Sequence, residues 1–237
     1  MMQVTFLGHS GFLVELETVN LLFDWWKGEL PVLSNRPLLV FASHRHPDHF
    51  DPQIFTLDDG KRDIHFVLGK GIRLDAYHLN KWCVSRETAE KCCEARGGET
   101  VDLGDVHVEF LPSTDEGVAF LVETAGYTLF HAGDLNWWHW AGENKGWNRN
   151  MEVNFKRYCT PLQGRTLDLA LFPLDPRQKE DGFRGAVYLM EMADVRRLIP
   201  MHQWEDFAFT DKFLEHYPQF TERTSRVTRN GQVFAFC

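Results

Sequence analysis

Ser43-His44-Arg45-His46-Pro47-Asp48-His49 follows directly on the apolar run Leu38-Leu39-Val40-Phe41-Ala42. Five apolar residues in a row predict a buried strand, so the polar cluster falls where a strand ends and a loop begins. Residues two apart on an extended segment point the same way, and His44 and His46 therefore reach one ion together. Asp48 and His49, past the turn set by Pro47, face a second ion. Imidazoles with one carboxylate suit zinc first, then iron or manganese, and not calcium or magnesium. The bland alternative is a polar loop that happens to be rich in His. The tight spacing, set directly after an apolar strand, favours metal.

Outward from this loop, composition bounds the class. The chain has 237 residues with 43% hydrophobic content, enough for one large domain or two half-sized layers around a shared core. Formal net charge is −9. The nearest approach to a basic cluster, Arg223, Arg226 and Arg229, alternates with Thr and Ser in a predicted surface strand. A nucleic-acid partner is disfavoured, because phosphate tracking needs a basic groove. The five Cys are odd in number and show no Cys-x-x-Cys. Reduced thiols in a cytoplasm are expected. No run approaches the ~18–20 apolar residues of a membrane helix, and the chain starts straight into a strand pattern. The expected location is the cytoplasm, with no membrane partner. Self-association into a homo-oligomer is compatible with all of this.

In chain order, residues 3–24 predict two or three strands, around Val4 to Leu7, Phe12 to Leu16 and Asn20 to Asp24. Asp51 to Asp59 predicts one short helix, and Ile64 to Leu68 a strand with His65 on its polar face. Residues 75–96 have apolar positions at roughly helical spacing and end at Gly97-Gly98, a helix stop signal. That places the adjacent Cys92-Cys93 on a helix.

The second half restates the first: strand Val106 to Leu111, turn Pro112 to Gly117, strand Val118 to Glu123, turn Thr124 to Gly126, strand Tyr127 to Phe130. The repeat fits a single domain, 1–237, made of two related halves, about 1–100 and 101–237. The second half's strand ends in His131-Ala132-Gly133-Asp134. Trp137-Trp138-His139-Trp140 then packs aromatic mass beside Asp134, either as core under a helix or as a wall over a substrate pocket. Leu167 to Pro173 predicts a strand, Ala186 to Leu198 an amphipathic helix, and Ile199-Pro200-Met201 a strand ending at His202. Val227 to Phe236, with Asn230-Gly231, predicts a closing hairpin.

His44-x-His46-x-Asp48-His49 after an apolar strand resembles the central motif of the metallo-β-lactamase superfamily. That resemblance implies an α/β fold, a four-layer αββα sandwich, with the metal site at one edge between the two sheets. It extends to His131-Ala132-Gly133-Asp134, similar to the fourth family motif, which implies that Asp134 bridges two ions. His202 resembles the fifth motif, a ligand of the second ion with Asp48 and His49. Asp24 resembles the first-motif aspartate, which braces the metal loop without binding metal. Gly8-His9-Ser10-Gly11 resembles the opening of the L-ascorbate-6-phosphate lactonase-like branch, so His9 is expected to line the site or to be a plain turn residue.

The third motif departs from the pattern. Its His belongs in the turn before the strand leading to Asp134, yet Ser113-Thr114-Asp115-Glu116-Gly117 has none. Asp115 stands two before Gly117 as His9 stands two before Gly11. We expect Asp115, or water in its place, to fill the vacant position on the first ion, against the alternative that it caps the turn.

The resemblance implies a metal-dependent hydrolase with one or two divalent ions, zinc foremost and manganese or iron next. A metal-activated water would attack a small ester, lactone or phosphate-bearing metabolite. Asp48 is the residue expected to orient the nucleophile; Trp137, Trp138, His139 and His9 are expected at the substrate, and His9, His131 and His139 are candidates for the general acid. The competing readings are a nuclease or phosphodiesterase on the same fold, redox use of an iron site, and a degenerate metal-binding member without turnover.

Overall fold

The computed structural model describes residues 1–236, and its contacts divide the chain into two units. One holds Met1–Arg96 together with the chain from Asn230 onward; the other is Gly97–Arg229.

Six strands of the first unit run in chain order: β1 (Met2–Gly8), β2 (Gly11–Glu15), β3 (Asn20–Phe23), β4 (Leu38–Ala42), β5 (Ile64–Gly69) and β6 (Cys92–Ala95). β1 to β3 pair antiparallel, and β3 to β6 pair parallel. All five residues of β4 are buried. A central parallel strand is covered on both faces, which is why its sequence is a run and not an alternation. Register partners Phe23 and Phe41 stack with ring centroids 4.5 Å apart. Burying each such ring is worth about 1.5–3 kcal/mol. That register brings the next residues out side by side, and the Asp24 N–H donates to the Phe41 carbonyl at 2.9 Å. The polar cluster emerges from here.

The long helix expected over 75–96 is not formed. Two short helices, α1 (Ala76–Lys81) and α2 (Arg86–Ala89), start at the separate caps Asp75 and Ser85 and are broken at Cys83, where φ is 55°. Cys92 and Cys93 then lie in β6, paired with Phe66 and Val67 of β5. A short apolar run serves either period, and an open parallel edge offered it hydrogen bonds. The cysteines differ sharply in their surroundings. Burial pushes the Cys92 thiol up to about 12 and raises those of Cys93 and Cys159, whereas Cys83 is exposed. Because the thiolate is the nucleophile, brief alkylation of native protein near pH 8 should label Cys83 alone among these four. Equal labelling of Cys92 or Cys159 by peptide mass spectrometry would contradict this burial pattern.

The second unit adds β7 (Thr100–Leu103), β8 (Val106–Pro112), β9 (Val118–Thr124), β10 (Tyr127–His131), β11 (Thr166–Leu167), β12 (Leu169–Pro173), β13 (Asp194–Val195) and β14 (Leu198–Met201). Its main sheet has the order β14-β12-β10-β9-β8-β7, with β10, β12 and β14 parallel. β11 and β13 form a small side pair. That pairing ends the expected 186–198 helix early, so that α4 runs Phe183–Met192; α3 (Lys145–Tyr158) before it and α5 (Phe209–His216) after it complete the helices. No single long helix was expected over 145–158. It starts where the Asn144 side chain accepts the Trp147 N–H at 2.8 Å.

The tail forms no hairpin of its own. The last strand, β15 (Gln232–Phe236), pairs antiparallel with β1, and Gly231 turns into it with φ 73° while its N–H donates to the Phe6 carbonyl. The unpaired edge of β1 takes the partner that the Asn-Gly turn was expected to bring from Val227 to Arg229. Arg223 likewise ends a 3₁₀ turn and not a surface strand.

In each unit the parallel strands, β3 to β5 in one and β10, β12 and β14 in the other, point their carboxyl ends at the candidate residues. That end of parallel strands is the usual place for a site in α/β sheets. No helix among the described residues is long and apolar enough to cross a membrane.

Candidate metal centre

Asp24 organises the first unit's share of the site. It is fully buried with φ 42°, and both carboxylate oxygens are used. Oδ1 accepts the Ser43 N–H at 2.7 Å; Oδ2 accepts the Ser43 hydroxyl and His49 Nδ1–H, each at 2.7 Å. These bonds assign tautomers. Since His49 gives its Nδ1 proton to Asp24, its Nε2 carries a lone pair. Since Ser43 gives its proton to Asp24, its oxygen accepts from His44 Nδ1 at 3.0 Å, and His44 Nε2 is left with a lone pair as well. His44 Nε2 lies 2.9 Å from His46 Nδ1. Two imidazole nitrogens aimed at each other need a proton or a cation between their lone pairs. Outer bonds that fix a ligand's tautomer are a regular part of metal sites.

The loop after β4 is folded back on itself by one carbonyl. The His46 C=O accepts the N–H of both His49 and Phe50 at 2.9 Å. This returns the fully buried His49 toward Asp24, and leaves Asp48 and His46 partly exposed. His9 arrives from the β1–β2 turn in the left-handed region, φ 55°. Gly11 makes the close approach possible, since a Cβ there would sit 3.2 Å from the Asp24 carbonyl oxygen. His9 Nε2 is 3.4 Å from Asp48 Oδ2, and His9, Asp48 and His49 each offer a ligand atom within 4.8 Å of the others. Burial alone would raise the Asp48 carboxyl, but hydrogen bonds from the His9 ring and from its own backbone act against it, and Asp48 is held well below the usual carboxylate range.

In the second unit β10 ends at His131, and Gly133, with φ 52°, turns the chain to the buried Asp134. His131 is fully buried with Nδ1 accepting the Gly133 N–H at 3.1 Å, so it serves this turn. Trp138 Nε1 donates to the Asp134 carbonyl at 3.0 Å. The Thr114 hydroxyl donates to the Asn136 carbonyl at 2.7 Å and accepts the Asn136 N–H at 3.0 Å. The third-motif turn thus braces the backbone beyond Asp134 through Thr114. Asp115 is exposed and in none of the groupings of ligand atoms among the described residues.

At the end of β14, His202 takes φ 62° and sets Nε2 3.5 Å from Asp134 Oδ1. Its Nδ1 bonds the fully buried Asp175 at 2.9 Å, two residues past the end of β12. Burial would raise the Asp175 carboxyl, yet the bonds from His202 and Arg177 bring it down to about 2. The edges of Trp138 and Trp204 flank His202, each at 5.5 Å between centroids.

The aromatic run divides. Trp138 stacks on Trp140 with planes 1° apart and faces His202. Trp137 turns to Phe155 and Tyr188, with Lys156 Nζ 4.5 Å over its ring. His139 stands 4.0 Å from Asp181, and its carbonyl accepts from Gln178. Sequence reasoning missed Ser43, Thr114, Asp175, Arg177 and Trp204. Only Asp175 left a signal, an acidic residue just past an apolar strand, as Asp24 is.

The mixed sheets and these two donor sets define a class, α/β proteins with histidine and carboxylate donors at the carboxyl ends of parallel strands. A family model described as "Beta-lactamase superfamily domain" matches residues 3–139, and the chain belongs to the metallo-β-lactamase superfamily. A "UPF0173 metal-dependent hydrolase" of Pyrobaculum neutrophilum is 28% identical, covering 95% of this chain and 94% of its own length. One of the same description from Nitratidesulfovibrio vulgaris is 27% identical over 98% of this chain and 91% of its own. Among solved structures, the metallo hydrolase Igni18 of Ignicoccus hospitalis matches with TM-score 0.64 at 18% identity, covering 100% of this chain and 99% of that one. CmlA, a diiron β-hydroxylase from Streptomyces venezuelae, matches with TM-score 0.65 at 10% identity, covering 99% of this chain and 54% of that one. These likenesses establish the fold; a fold shared by a hydrolase and a hydroxylase does not choose the chemistry.

Proposed function

We propose that this protein is a metal-dependent hydrolase acting on a small ester, lactone or phosphate-bearing metabolite. The observation that carries the reading is the paired bracing of His49 by Asp24 and His202 by Asp175, which holds the Nδ1 proton of each neutral imidazole and so puts the ring lone pair on Nε2, the form that binds a cation. In this reading the first unit's ligands are His44, His46, Asp48 and His49, and the second unit's are Asp134 and His202. Imidazole nitrogen and carboxylate oxygen form a donor set that fits zinc, manganese or iron. A divalent ion so held supplies Lewis-acid polarisation of a substrate oxygen and acidifies the water it binds.

The chain's own groups do the rest. Asp48 stays ionised at neutral pH and partly exposed, so it accepts a hydrogen bond from the attacking water and orients it. His9, bonded to Asp48, is placed to hand a proton toward a leaving oxygen. Trp138 gives an apolar wall beside His202, in keeping with small-ligand sites that combine apolar surface with a few aimed polar groups. The opening Gly8-His9-Ser10-Gly11 favours the lactone within this substrate class. The net charge of −9 weighs against a nuclease. The free thiols of the four described cysteines are in keeping with a cytoplasmic location.

The test is metal analysis of purified protein, followed by assays with zinc, manganese and iron(II) on lactones, carboxylic esters, phosphoesters and single-stranded nucleic acid. We expect bound metal and turnover of a lactone or ester. Failure to bind any of the three ions, or turnover confined to nucleic acid, would reject the reading.

A further inference from the structure

We infer that Asp175, held by Arg177 and Trp204, is the positioning residue that keeps His202 in the tautomer a metal requires. The inference rests on the reading of His202 as a ligand and adds residues to which no family motif in this chain assigns a part. Two carboxylate oxygens receive five N–H groups. Arg177 gives three of them: its backbone N–H at 2.9 Å and Nε at 3.0 Å to Oδ1, and Nη2 at 2.6 Å to Oδ2. His202 Nδ1 at 2.9 Å and Trp204 Nε1 at 3.3 Å supply the other two, both to Oδ2. Every one of these neighbours is a donor once His202 carries its proton on Nδ1. A neutral His202 protonated on Nε2 would instead aim a lone pair at a buried anion, which the geometry forbids at that distance. The carboxylate therefore fixes which ring nitrogen is available, and Nε2 faces Asp134.

The support is itself anchored. The Arg177 guanidinium lies 4.5 Å from the Trp204 ring centroid and 5.7 Å from that of Trp140. Stacking of this kind suits the flat guanidinium and holds the fork in place. The backbone is left-handed at His202, Trp204 and Glu205, all non-glycine, with φ of 62°, 51° and 67°. Strain of that density persists only where surrounding contacts over-determine the conformation, and it gathers at functional sites. Here the strained loop is what delivers both the imidazole and the indole N–H to one carboxylate. Asp24 meets the same demand in the first unit with donors from Ser43 and His49.

Asp175→Asn is the discriminating change, since an amide must turn its NH2 toward donors in either orientation. With Oδ1 kept on the Arg177 fork, the amide NH2 faces His202 and favours protonation on Nε2. Two measurements are made on metal-free and zinc-titrated protein: 15N chemical shifts of His202 in histidine-labelled samples, and zinc affinity by chelator competition. The parent should show the Nδ1–H form, Asp175→Asn should move His202 to the Nε2–H form, and zinc affinity should fall about 10–100-fold, the usual effect of losing an outer-shell partner. Asp175→Asn that keeps the Nδ1–H form and parent affinity overturns the inference. If that variant does not fold, the parent spectrum decides, since an Nε2–H signal for His202 overturns it directly. His202→Ala with undiminished zinc affinity would reject the ligand reading, while the tautomer measurement still tests Asp175 alone.

Discussion

Replacing Asp24 with alanine should destabilise the protein by about 3–5 kcal/mol, the range for removing one partner from a buried charged network. Three donors converge on its carboxylate, and none reaches water, since Asp24, Ser43 and the His49 side chain are buried without measurable exposure. Alanine would leave the Ser43 N–H and the His49 ring nitrogen unsatisfied, each costing about 1–3 kcal/mol. It would also release the tautomers of His44 and His49 together, because Ser43 passes the constraint from one to the other. Chemical denaturation of metal-free Asp24→Ala against the parent measures the cost, and metal binding should weaken in the same variant. A loss under about 1 kcal/mol would mean that the network is not what holds the loop.

The second large effect belongs to Asp134→Ala. With the carboxylate gone, zinc affinity should fall by more than the ~100-fold expected for loss of an outer-shell partner, and turnover should fall with it. The comparison that gives the number meaning is the neighbouring aromatics. Trp137→Phe removes an indole that packs on α3 and α4, and metal content should not change. Trp138→Phe removes the Nε1 bond to the Asp134 carbonyl, worth about 0.5–1.5 kcal/mol, and should leave metal stoichiometry intact while altering substrate affinity. Equal metal content in all three proteins, read by elemental analysis after dialysis, would remove Asp134 from the ligand set.

Much of the strand framework was legible because burial leaves a plain signature. Leu38 to Ala42 reads as a strand by its unbroken apolar run, and Phe12, Leu21 and Phe120 announce their strands in the same way. The residues that cluster at the carboxyl ends of those strands were legible by type and spacing, since imidazoles two apart after a strand have few other uses. What stayed hidden depends on partners distant in sequence. Cys92 and Cys93 form a strand only because β5 offers them an edge. Gln232 to Phe236 could not announce that its partner is β1 at the other end of the chain. Thr114 and Asp175 act through hydrogen bonds to groups 22 and 27 residues away, and a lone Thr or Asp gives no periodic signal. Asp115 drew attention by position in a repeat, yet the turn presents Thr114 inward and Asp115 to solvent.

The pairing of Met2 with Phe236 has a consequence for synthesis on the ribosome. The first unit takes its final strand from the end of the described chain, with the whole second unit translated in between. At ~5–20 residues per second that interval lasts roughly 10–50 s. Throughout it, β1 presents an open row of N–H and C=O groups, the kind of edge that recruits strands from other chains. The nascent protein is thus exposed to mispairing at β1 until Gln232 to Phe236 have left the exit tunnel.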